Sequence, residues 1–107
     1  MRAGSEEKLK EKIKEILIRE LGYSEYVAEL TAKDLMDLKP ELKGALAEWL
    51  DNRREEVISI CGISTKDLIE DKEMTYPSAL ISLNWVLRDP EKAIPELKNI
   101  IRRRDTF

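Results

Sequence analysis

Cys61 is the only thiol in a chain that contains no histidine. Those two facts together remove most of the chemistry a protein performs at neutral pH. Histidine is the commonest general base and metal ligand, because its charge changes between about pH 5 and 8. A cysteine alone has no base to activate it and no second thiol for a disulfide, a redox pair or a metal. Cys61-Gly62-Ile63-Ser64 stands just before a helix start, and the sequence favours Cys61 as a small, buried or half-buried core residue. The four glycines are scattered, so no loop is available to cradle a phosphate. Carboxylates number 22, yet their spacing distributes them over solvated faces and pairs none for acid–base work. Catalytic, cofactor-binding and metal-ligating residues are therefore not expected, and the chain does not read as an enzyme.

What the chain offers instead is a binding surface, between Pro77 and Arg88. At about 100° per residue, Ala79, Leu80, Leu83, Val86 and Leu87 share roughly one third of a helix circumference and form its core face. Opposite them lie Ser78, Ser82, Asn84, Arg88 and Asp89, and among these polar residues stand Ile81 and Trp85. Ile81 and Trp85 are i, i+4 neighbours, so their side chains meet on the helix surface. An aromatic beside an aliphatic residue, ringed by serines and an arginine, has the composition of an interface anchor. Ile81, Trp85, Ser78, Ser82 and Arg88 are the candidate partner-binding residues, the partner being another protein or a second copy of this one. The plainer alternative is that a further element of the same chain covers this second face.

Helices 65–72 and 77–88, joined by a short connection, also have the layout of a helix-turn-helix. In that alternative reading the protein binds DNA, with 77–88 in the major groove. Ser78, Ile81, Ser82 and Trp85 are poor base readers, and Glu70 and Asp71 on the first helix oppose phosphate. With 19 basic against 22 acidic residues, the overall charge is too even for a dedicated nucleic-acid or membrane-surface protein. Residues 24–56 hold nine acidic side chains against five basic ones, which reads as a solvated bundle surface. Arg102, Arg103 and Arg104 fit the negative end of a final helix.

The elements that position these residues follow from periodicity. Hydrophobic residues make up 42% of the chain and charged ones 38%, a proportion that helices segregate by face more readily than strands. Leu9, Ile13, Ile16, Leu17 and Leu21 predict a first helix capped by Ser5 and stopped by Gly22, with Met1 to Gly4 outside the folded part. Ser24 starts a second helix to about Leu38, with Val27, Leu30, Leu35, Met36 and Leu38 apolar. Pro40 opens a third, whose stripe is Leu42, Ala45, Leu46, Trp49 and Leu50. Val57 to Ile60 is β-branched and closed by Gly62, hence extended, with no second strand evident in this chain to pair with it. Ser64 caps a short helix to about Lys72, and Tyr76-Pro77 opens the next. Pro95 predicts a turn over 90–94 and a final helix from Pro95 to about Arg103, striped by Leu97, Ile100 and Ile101.

The expected fold is thus all-α: a single domain over 1–107, a compact bundle of five to six short helices with one short extended segment near 57–60. Lacking a signal-peptide pattern and any apolar run of about 18 residues, the chain is expected in the cytoplasm, with no membrane association.

Overall fold

The computed structural model describes the backbone of residues 2–72 and 74–105 and the side chains of 6–71 and 74–99. Among these described residues, six helices and one two-stranded hairpin make an all-α fold: α1 (Arg2–Leu21), α2 (Glu25–Met36), α3 (Pro40–Asn52), β1 (Ser59–Ile60), β2 (Ile63–Ser64), α4 (Thr65–Lys72), α5 (Tyr76–Arg88) and α6 (Pro90–Asp105). No helix among the described residues is long and apolar enough to cross a membrane. Contacts within the chain gather into two units, residues 1–37 and 38–107.

The first unit pairs α1 with α2. Gly22, at φ 72°, takes the left-handed conformation that ends α1. The Ser24 side chain then caps α2 by accepting from the Val27 N–H at 3.2 Å. Ile13, Ile16 and Leu17 are buried on α1, and Ala28, Ala32 and Leu35 on α2. Lys10 Nζ lies 2.6 Å from Glu29 Oε1, and Lys14 Nζ lies 3.3 Å from Glu29 Oε2. These two hydrogen bonds, Lys10 first, hold the Glu29 carboxyl below its ordinary range. Two expectations change here. Helix α1 begins at Arg2, so Ser5 lies inside it and is no cap. Val27 and Leu30 are 45% and 46% exposed, because α2 packs on its small residues, with Glu25 and Glu29 at the edge of that arc turned to the lysines.

In the second unit, Pro40 begins α3, and Leu42, Ala45, Leu46, Trp49 and Leu50 are all buried. Arg53 closes the helix in the left-handed region, at φ 58°. Its N–H reaches the Trp49 carbonyl at 2.7 Å, and its guanidinium lies 5.4 Å from the centre of the Trp49 ring. The same guanidinium donates to the Leu50 carbonyl. Beyond it the chain runs to β1 without regular structure, tied by Thr65 and Tyr76. Thr65 Oγ1 accepts from Ile58 N–H at 3.1 Å and donates to the Glu56 carbonyl at 3.3 Å. The Tyr76 hydroxyl donates to that same carbonyl at 2.8 Å. Burial, followed by the Glu56 and Glu55 carboxylates, pushes this phenol up to about 12.

The extended segment does find a partner within its own chain, contrary to the sequence reading. Ser59 pairs with Ser64 and Ile60 with Ile63, antiparallel. Cys61 and Gly62 form the two-residue turn between them, at φ 53° and 79°. Two successive positive φ values mark the tight turn that matches the twist of paired strands. Cys61 is consequently exposed at the tip rather than buried or half-buried. Ser64 caps α4 as expected, accepting from the Asp67 N–H at 3.1 Å. Helix α6 runs without a break from Pro90, so no turn forms over 90–94. Pro95 removes one hydrogen bond and its ring crowds the preceding turn, but Ala93 and Leu97, buried one turn apart, seat both halves of the helix. The side chains of Ile100, Ile101 and Arg102 to Arg104 lie outside the described residues.

Candidate functional site

Helix α5 is fixed in rotation by what it buries. Tyr76, Pro77, Ala79, Leu80, Leu83 and Val86 are inaccessible, and Leu87 is half-buried at the edge of that arc. Thr75 caps the helix, its hydroxyl accepting from the Ser78 N–H at 3.4 Å. Asn84, which periodicity placed on the polar side, is buried as well. Its side-chain oxygen accepts from the Lys39 N–H at 2.8 Å, at the entrance to α3. This anchor, 45 residues distant in the chain, supplies a partner for a backbone donor that α3 itself leaves free.

The arc left over is about 120° wide at 100° per residue, and it carries all five candidate residues. Ser78, Ile81 and Ser82 are half-buried, Arg88 is exposed, and Trp85 retains 38% of its surface in solvent. Ile81 and Trp85 lie one turn apart at the centre of the arc. The serines are engaged locally: the Thr75 hydroxyl donates to Ser78 Oγ at 3.2 Å, and the Ser82 hydroxyl meets the Met74 sulfur at 3.7 Å. What faces solvent is the indole, with the half-buried Ile81 beside it and one cation, Arg88, at their end.

Charge on these elements bears on the helix-turn-helix layout, which α4 and α5 do share. Arg88 is the single cation of α5, while α4 sets Asp67, Glu70 and Asp71 against its two lysines, Lys66 and Lys72. A DNA-reading helix draws most of its affinity from lysines and arginines that neutralise phosphates, and this pair of helices supplies few.

Other places in the molecule offer less. A hollow of about 170 Å³ is lined by Glu55, Val57, Thr65, Lys66, Ile69 and Glu70, smaller than the roughly 300–1,000 Å³ of small-molecule sites. Among the described residues no three Cys, Asp or Glu side chains gather where a metal could be held. One surface escaped the sequence reading altogether: Tyr26, Val27 and Leu30 on the outer side of α2, with Tyr26 73% exposed. Its signal lay in Ala28 and Ala32, small residues at the four-residue spacing that lets two helices approach closely. The chain matches no family model, no curated protein and no solved structure.

Proposed function

We propose that the protein is a non-enzymatic interaction module that binds another protein, or a second copy of itself, through the Ile81–Trp85 face of α5. The observation that carries this reading is the exposed indole on a helix whose apolar arc is already complete without it. Water-exposed tryptophan beside isoleucine is the kind of anchor whose truncation commonly costs an interface about 2 kcal/mol or more. Ser78, Ser82 and Arg88 supply the polar rim around it.

The test is Trp85→Ala, read in two ways. Association with the captured partner should weaken at least tenfold, while the melting temperature stays close to that of the wild type. A large loss of stability with association unchanged would mean that the chain covers Trp85 itself. Binding to duplex DNA at low salt, falling steeply as salt rises, would favour the helix-turn-helix reading instead.

A further inference from the structure

We propose that residues 54–60 form a strap that swings away from α4 while the helices around it stay folded, opening the hollow it borders. The strap lies between Arg53 and Cys61, the two non-glycine residues at positive φ among the described ones, at 58° and 53°. Backbone strain of that kind persists only where the surroundings impose it, and loop residues able to change φ and ψ are where hinges form. At Arg53 the constraint is visible: its N–H donates to the Trp49 carbonyl at 2.7 Å and its guanidinium to the Leu50 carbonyl. At Cys61 the constraint is the Ile60–Ile63 pair that closes the turn.

What holds the strap down is slight and local. The Thr65 and Tyr76 hydroxyls share the Glu56 carbonyl, Ile58 N–H donates to Thr65 Oγ1, and Thr65 N–H donates to the Ile58 carbonyl. Strand β1 meets β2 over two residues only, a ladder that is marginal alone. Among the described residues, Glu55 and Val57 add no hydrogen bond. No side chain of the strap is fully buried: Arg54 to Val57 and Ser59 are exposed, and Ile58 and Ile60 are half-buried. The neighbouring helices differ, since Leu68 of α4 and Leu80 and Leu83 of α5 have no surface in solvent. Few buried apolar contacts and solvent-facing hydrogen bonds separate a locally opening segment from its core. Helix α4 keeps its cap through the motion, because Ser64 Oγ accepts from the Asp67 N–H and neither residue belongs to the strap. Glu55 and Val57 form one wall of the hollow of about 170 Å³, shared with Thr65, Lys66 and Ile69 of α4. Swinging the strap off removes that wall and bares the hydroxyls of Thr65 and Tyr76, residues that are 1% and 2% exposed when it is closed.

Native-state hydrogen exchange on the full chain is the test. The Ile58 and Thr65 amides should exchange together, with protection at least tenfold below that of α3 and α5. Their exchange should depend little on low denaturant, whereas that of the helix amides should depend on it steeply. Tyr76→Phe keeps the buried ring and deletes one tether, so protection at Ile58 and Thr65 should fall roughly tenfold. Thr65→Val removes the tethers made by the other hydroxyl and should act in the same direction. Unchanged helical circular dichroism would certify that both variants fold. A glutamate-specific protease should cut the native chain after Glu55 or Glu56, and faster in Tyr76→Phe. Ile58 and Thr65 amides with the same protection and the same denaturant dependence as the helices would overturn the proposal. So would amides indifferent to both substitutions, or cleavage at Glu55 and Glu56 that Tyr76→Phe does not accelerate.

Discussion

Trp49 and Trp85 both stand on amphipathic helices, yet the first is 3% exposed and the second 38%. The difference follows from the arc each occupies. Trp49 sits in the middle of the buried stripe of α3, beside Leu46 and Leu50, with the Arg53 guanidinium over its ring. Trp49→Ala should therefore leave a cavity and cost about 3–5 kcal/mol in chemical denaturation. A mutant that unfolds with the wild type would show that the α3 stripe is not a core. Cys61 makes the opposite case, a residue whose chemistry matters less than its backbone. At φ 53° it holds a conformation that costs an ordinary L-residue about 1–2 kcal/mol and that asparagine tolerates. Cys61→Asn, which creates the Asn-Gly pair favoured in such turns, should stabilise the protein by about 0.5–1 kcal/mol. A loss of stability in the same denaturation assay would count against the turn.

At the scale of elements, legibility depended on whether a segment had one apolar arc or two. Helix α3 has one, and its Pro40 start and all five stripe residues are where periodicity puts them. Helix α2 has two, and the larger side chains, Val27 and Leu30, drew the expected core face to the wrong side. Helix packing there is decided by close approach over alanines and by the Glu29 ion pairs, neither of which a hydrophobicity pattern weighs. The hairpin was hidden because its second strand is only Ile63–Ser64 and shares Ser64 with the cap of α4. The continuity of α6 through Pro95 was hidden because burial of Ala93 and Leu97 is a property of the packed chain. Within the candidate site, the five residues of the α5 arc were legible from the 3.6-residue period alone. Asn84 was not, since its partner is the Lys39 backbone and no local pattern connects the two.

At the scale of the whole molecule, the division into residues 1–37 and 38–107 implies that stability is unevenly distributed. A piece of 37 residues falls below the roughly 40 at which a chain supports a core without staples, and its buried seam on α2 is largely alanine. Local opening should therefore begin there. Native-state hydrogen exchange should find the amides of α1 and α2 opening together, with protection at least tenfold below that of α3 and α5. That ratio corresponds to about 1.4 kcal/mol. Equal protection throughout would mean that the chain opens as one body. The Glu29 clamp adds a pH dependence of known sign. Lys10 and Lys14 hold this carboxyl below its ordinary 4.5, so the folded unit binds the proton less readily than the unfolded one. The stabilisation is complete above the unfolded value and is lost as pH falls through the folded one. Lowering the pH through 4.5 and below should accordingly reduce the protection factors, measured against the intrinsic rate at each pH, more in α1 and α2 than in α3 and α5. In Glu29→Gln the carboxylate is gone, so the unit should exchange faster at neutral pH and respond less to acid. A variant that keeps the full acid response would place the sensitive group elsewhere in the unit.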